Sequence, residues 1–130
     1  MLSRRAAIVL VTGSLLSVSV IVAKGASFQA MDSNNDGKIG LDEIKEAASE
    51  RFDALDRNHS GTLSRRQLRR LRLSRKDFAA ADTDKDGTLT KDEYLALVEK
   101  RFRAADIDHS GTLTLKEFNS RPVLLRRLIY

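Results

Sequence analysis

At 130 residues and 14.5 kDa the chain holds one small domain, and its lack of cysteine excludes disulfides, thiol catalysis and thiolate metal sites. A single proline among many Ala, Leu, Arg, Lys and Glu residues favours helices over strands, so the expected fold class is all-α. The formal charge of +5 is local rather than global, because Arg4, Arg5 and Lys24 precede residue 26, all 18 acids follow it, and seven basic residues crowd into Arg65–Lys76.

Residues 1–25 open with Arg4 and Arg5 and continue with 18 uncharged, mostly apolar or small residues from Ala6 to Ala23. That is the pattern of an export signal, with cleavage after Gly25 and the small Ala23 three residues back. Such a leader implies a protein exported to a periplasm or secreted. The alternative is an N-terminal anchor in the inner membrane through residues 6–23, since that run just reaches spanning length. Residues 26–130 are then the folded domain.

Phe28 stands four residues before Asp32, and the spacing recurs at Phe52, Phe78 and Phe102 ahead of Asp56, Asp82 and Asp106. Each aromatic is expected to pack an entering helix into the core one turn before a loop. The first loop, 32–43, offers oxygen at positions 1, 3, 5, 7 and 12 from Asp32, Asn34, Asp36, the Lys38 carbonyl and Glu43. The second, 56–67, offers Asp56, Asn58, Ser60 and the Thr62 carbonyl, but a neutral Gln67 at position 12. The third, 82–93, has Asp82, Asp84, Asp86, the Thr88 carbonyl and Glu93, with Thr90 at position 9. The fourth, 106–117, has Asp106, Asp108, Ser110, the Thr112 carbonyl and Glu117. All four turn at a glycine in position 6 and carry an apolar residue at position 8: Ile39, Leu63, Leu89 and Leu113.

This spacing of hard oxygen donors is what a seven-coordinate calcium ion requires, and four copies in one chain resemble the EF-hand family, the short bacterial members with compact spacing in particular. The resemblance covers about residues 28 to 120. It implies reversible Ca²⁺ binding by these loops, with position 12 as a bidentate carboxylate and position 8 in a short β-bridge between paired loops. Carboxylates among the ligand positions number four in the third loop, three in the first and fourth, and one in the second. About three strong calcium sites are therefore expected, with loop 56–67 weak or empty.

Only 12 residues separate Glu43 from Asp56, and again Glu93 from Asp106, so one helix must serve two loops in each case. Ile44, Ala47, Ala48, Phe52 and Leu55 give one such helix an apolar side; Tyr94, Leu97, Val98, Phe102 and Ala105 do so for the other. Asp32 and Asp82, Phe52 and Phe102, His59–Leu63 and His109–Leu113 are offset by 50 residues, so the chain is a tandem of two helix-sharing halves. A shared helix holds its two loops at opposite ends, which forbids pairing of loops 1 and 2 or of 3 and 4. Antiparallel packing of the helices at 42–55 and 92–105 predicts bridges between loops 2 and 3 and between loops 1 and 4. The join, Leu68–Ala81, is expected to break near Leu73–Ser74 into two short helices, with Ser74 as N-cap and Asp77 in the first turn. Pro122 is expected to end the last exit helix, and the apolar tail after it to dock on the bundle.

The remaining signals are weaker. His59 and His109 sit at position 4 without a second ligand at metal spacing, and Ser60 and Ser110 lack an orienting partner, so no enzyme is expected. The run 65–76, read as a basic helix with Leu68 and Leu71 on one side, could meet an anionic membrane surface or an acidic protein partner; the plainer reading is a solvated face. No nucleic-acid partner is expected, because no aromatic platform interleaves the arginines. Met1 and Met31 are the only methionines, too few for the Met-rich groove of a sensor, which leans toward buffering or calcium-dependent stability.

Overall fold

A computed structural model describes residues 26–120 and 123–129. The expected export signal or anchor at 1–25, and Pro122 as a helix stop, lie outside the described residues. In chain order the elements are α1 (Ala26–Met31), β1 (Lys38–Gly40), α2 (Leu41–Leu55), β2 (Thr62–Ser64), a 3₁₀ helix (Gln67–Leu71), α3 (Arg75–Ala81), β3 (Thr88–Thr90), α4 (Lys91–Ala105), β4 (Thr112–Thr114), α5 (Leu115–Ser120) and α6 (Val123–Ile129). Among the described residues, no helix is long and apolar enough to cross a membrane.

Local chemistry sets the helix ends. At α4 the Thr90 hydroxyl accepts from the Glu93 N–H at 3.3 Å while Glu93 Oε2 accepts from the Thr90 N–H at 2.8 Å, a reciprocal cap. Gly40 heads α2 without a side chain, so only the glutamate half of that cap is made, from Gly40 N–H to Glu43 Oε2 at 2.9 Å. At the other ends, the N–H groups of Asp56 and Asp106 donate to the carbonyls of Phe52 and Phe102 at 2.9 Å each. The four-residue Phe-to-Asp spacing is thus the last turn of the entering helix: the aromatic faces inward while the aspartate leaves the helix to begin the loop.

Between the first and second loops the chain is one helix, α2, and between the third and fourth it is α4; each has 15 residues, about 22 Å of rise. β1 pairs antiparallel with β4, placing Ile39 opposite Leu113, and β2 pairs with β3, placing Leu63 opposite Leu89. These are the pairings expected from loops held at opposite ends of a helix. They also make α2 and α4 run in opposite senses, because the strand at the start of α2 joins the strand beyond the end of α4. The fold is therefore mostly helical but not purely so: two small antiparallel sheets qualify the all-α label.

The core lies between α2 and α4. Phe52 and Tyr94 meet edge to face with centroids 5.5 Å apart, and Phe28 and Phe118 do the same at 5.6 Å. Ile44, Ala48, Leu97, Val98 and Phe102 fill the rest, and all four strand-centre side chains are fully buried. The tail docks as α6, burying Leu125, Leu128 and Ile129. Tyr94 Oη reaches through the core to donate to the Leu128 carbonyl at 2.6 Å, and burial pushes its phenol far above its ordinary range.

The join breaks into two short helices near Leu73–Ser74, as expected. Ser74 does cap α3, accepting from the Asp77 N–H at 3.0 Å, but the preceding segment is a 3₁₀ turn rather than an α-helix and ends at Arg72 in a left-handed conformation with φ of 52°. The run 65–76 is consequently not one helix. Leu68 and Leu71, expected on one side of that run, are 2% and 1% exposed and belong to the core.

Tyr94→Phe leaves the Leu128 carbonyl without this donor, so unfolding by denaturant should show a loss of about 1–2 kcal/mol. The variant should also give faster amide exchange in residues 123–129, the segment that the bond ties down.

Candidate functional site

All four loops are built on the same backbone scaffold. The position 1 aspartate accepts from the N–H groups of positions 5 and 6: Asp32 at 3.1 and 2.8 Å, Asp56 at 3.0 and 2.9 Å, Asp82 at 3.2 and 2.9 Å, and Asp106 at 3.1 and 2.9 Å. These aspartates are buried although charged, which such donors make tolerable. The turn requires left-handed backbone at position 4 (Asn35, His59, Lys85 and His109, φ 52–56°) and at the glycine of position 6 (φ 76–82°).

Upon that scaffold the loops diverge at positions 2, 5 and 12. In the third, carboxylate oxygens of Asp82, Asp84 and Asp86 lie within 4.8 Å of one another, and in the fourth those of Asp106, Asp108 and Glu117 do so. Glu93 does not join its group. Its Oε1 is held at position 2 by the Thr83 N–H and hydroxyl at 3.2 and 3.0 Å. Glu43 is held likewise by Ser33 at 2.9 and 2.8 Å. In the fourth loop position 2 is the exposed Ile107, which has no hydroxyl, and Glu117 is buried beside the aspartates. Ser33 and Thr83 were missed in the sequence reading; the signal was a hydroxyl residue at position 2 in the first and third loops alone.

Position 5 divides the loops another way. Asp36 and Asp86 accept from the N–H of position 7 at 2.9 and 2.8 Å, leaving the Lys38 and Thr88 carbonyls without a donor from that side chain. Ser60 and Ser110 accept from the same N–H at 3.3 and 3.4 Å but also donate to the Thr62 and Thr112 carbonyls at 2.9 and 3.0 Å. A hydroxyl can thus occupy the carbonyl lone pair that a cation would otherwise take; a carboxylate cannot.

The second loop goes furthest in closing itself. Gln67 Oε1 accepts from the Ser64 N–H and hydroxyl at 2.9 Å each, and Nε2 donates across the loop to the Leu55 carbonyl at 3.3 Å. The amide provides a donor where a carboxylate has none, so both of its ends are engaged by the protein. Asn58 and His59 are exposed at the loop surface, as is His109 in the fourth loop.

The electrostatics follow the hydrogen bonds. A side-chain hydrogen bond with Asp82, with burial and the charges of Asp86 and Glu93 adding to it, raises the Asp84 carboxyl above its ordinary value. The Thr88 N–H and hydroxyl lower that of Asp86, and the Thr90 N–H lowers that of Glu93 against partial burial. Burial acts upward on Glu43, but donors led by the Gly40 N–H hold it low. Ser110 lowers Asp108 through its hydroxyl and N–H. An all-oxygen set with clustered carboxylates suits a hard divalent cation, and the third and fourth loops present it most directly.

Against protein families, the EF hand model matches the chain four times, at residues 25–47, 49–71, 76–98 and 97–121. No curated protein matches it.

Two outcomes test this geometry. Gln67→Leu strands the Ser64 N–H and the Leu55 carbonyl and should destabilise the chain by about 1–3 kcal/mol in denaturant unfolding. In carboxyl-carbon NMR of the metal-free chain, Asp84 should titrate above Asp86. Because its folded pKa is raised, the stability Asp84 contributes is fully present below its unfolded value and lost as pH rises through the folded one; for the lowered Asp86 the contribution is lost as pH falls.

Proposed function

The chain belongs to the EF-hand family, whose domains imply calcium binding, and from that premise we propose that it is an exported protein that binds calcium reversibly at three loops, as a buffer or as a binding protein that calcium stabilises. The observation that carries the reading is the group formed by Asp82, Asp84 and Asp86, whose carboxylate oxygens come within 4.8 Å of one another and hold the Asp84 proton to higher pH. Such crowding costs free energy that a bound cation relieves.

Asp82, Asp84, Asp86, the Thr88 carbonyl and Glu93 would hold the ion in the third loop. Asp106, Asp108, Ser110, the Thr112 carbonyl and Glu117 would do so in the fourth, and Asp32, Asn34, Asp36, the Lys38 carbonyl and Glu43 in the first. Bound calcium supplies positive charge that offsets the clustered carboxylates and ties position 1 to position 12. For Glu43 and Glu93, entry into the ligand set means giving up the bonds to Ser33 and Thr83. Asp56, Asn58, Ser60 and the Thr62 carbonyl remain a weak or empty set, because Gln67 offers no carboxylate and both ends of its amide are already engaged within that loop.

The domain begins at about residue 26, with the preceding leader serving export, and consists of two helix-sharing halves. Each sheet then joins unequal loops, the self-closed second to the acidic third and the first to the fourth. The reading assigns no catalytic step: the Ser60 and Ser110 hydroxyls serve their own loops. Insertion of the 65–76 run into a bilayer has no apolar face to work with, since Leu68 and Leu71 point into the core.

Calorimetric titration should give three calcium equivalents, with Glu93→Gln the most damaging single change to tight binding; four comparable sites would refute the assignment. At free calcium near 100 times the dissociation constant each site should add about 2.7 kcal/mol to stability, so a melting temperature unaffected by chelator would contradict the reading as well.

A further inference from the structure

Beside the second loop lies a cavity of about 500 Å³ whose charged lining is wholly cationic: Arg51 from α2, Arg57 and Arg66 from the loop, and Arg70 from the 3₁₀ helix, around Leu55 and Gln67. Four ion pairs are present among the described residues, and they use Lys45, Lys91, Arg101 and Arg103; none reaches this ring. Arg51 Nε is shielded from solvent and has no hydrogen-bond partner.

The other half of the chain supplies an internal comparison. Fifty residues on, Arg101 also has a shielded Nε, but its Nη2 is bonded to the Asp77 carboxylate. The position equivalent to Asp77 in the first half is Ser27, and those equivalent to Arg57, Arg66 and Arg70 in the second half are Ile107, Lys116 and Ser120. One half thus has a neutralised arginine, while in the other four arginines line a cavity that, among the described residues, no carboxylate lines, the glutamates Glu43, Glu46 and Glu50 bordering Arg51 from a separate cavity. At positions 50 residues apart, Asn58 and Gln67 of this loop stand where the fourth has Asp108 and Glu117, so less negative charge competes for these guanidinium groups.

We propose that this cavity is a binding site for a phosphorylated small molecule, its phosphate taken by Arg51 and Arg70 and its body lying against Leu55. Guanidinium forks match the oxygen geometry of phosphate in bidentate fashion and stay charged at any working pH. The volume falls in the range of small-molecule sites and exceeds what inorganic phosphate alone would fill. The site is separate from the calcium ligands of the other three loops, so it stands whether or not their number is three.

The test is NMR titration of the calcium-loaded full chain with phenyl phosphate, using phenol as the control that lacks the anion. The expected result is a saturable shift of the amides of residues 51–57 and 66–70, absent with phenol. Arg51→Gln and the exposed Arg70→Gln should each weaken binding about tenfold, whereas Lys100→Gln, a cation of the opposite half, should leave it within about twofold. Arg70 lies on the surface, so its variant decides the matter even if Arg51→Gln perturbs folding. Phosphatidic acid vesicles distinguish the source: binding that depends on Arg51 identifies a lipid headgroup, and its absence beside phenyl phosphate binding identifies a soluble ester. Unsaturated shifts, or equal weakening by Lys100→Gln, would overturn the site in favour of diffuse charge attraction.

Discussion

The whole arrangement depends on there being room for one helix, and only one, between the first and second loops and between the third and fourth. α2 and α4 each begin where one loop ends and finish where the next begins. A rigid spacer of about 22 Å keeps those loops apart, so each strand must find its partner in the other half of the chain. From this follow the β1–β4 and β2–β3 pairings, the opposed directions of α2 and α4, and the meeting of Phe52 with Tyr94 in the core. The halves interlock through their loops, and neither can complete a sheet without the other.

That interlocking couples loops of different character. The loop backbones are already shaped by the position 1 aspartates, whose oxygens take two N–H groups each. What varies is how much remains for a cation to satisfy. The third loop leaves three carboxylates crowded together; the second leaves almost nothing, because Gln67 bonds both the strand end and the Leu55 carbonyl. Their sheet therefore places a loop shaped by hydrogen bonds alone against one whose charges need an ion. The Ser33 and Thr83 latches add a second difference: the position 12 carboxylate must exchange partners in the first and third loops, whereas in the fourth it already lies among the aspartates.

The arginines of the first half fit the same logic. Where the second loop keeps Asp56 as its single acid, cations gather with no ion pair among the described residues, and where the second half has Asp77, the matching arginine is neutralised. At positions 50 residues apart the chain differs in charge: Arg57 and Arg70 answer to the neutral Ile107 and Ser120, and the neutral Ser27 to Asp77. The basic run 65–76, read as a helix with Leu68 and Leu71 on one side, is split by the left-handed turn at Arg72 close to the expected break, and the core claims those two leucines.

Much of this was legible in the residues themselves. Loop boundaries, donor types, the glycine turns, the Phe-to-Asp spacing and the 50-residue repeat are local features, governed by backbone geometry within a few residues. Even the loop pairing could be read, since helix length is set by residue count. Tertiary structure alone decided which oxygens are free: that Glu93 turns to Thr83, that Ser60 covers the Thr62 carbonyl, that Gln67 spans its loop to Leu55, and that Asp77 reaches Arg101. These depend on side chains meeting across closed loops and between separate helices. A hydrogen bond forms or fails over a few tenths of an ångström, a precision that spacing along a chain does not carry.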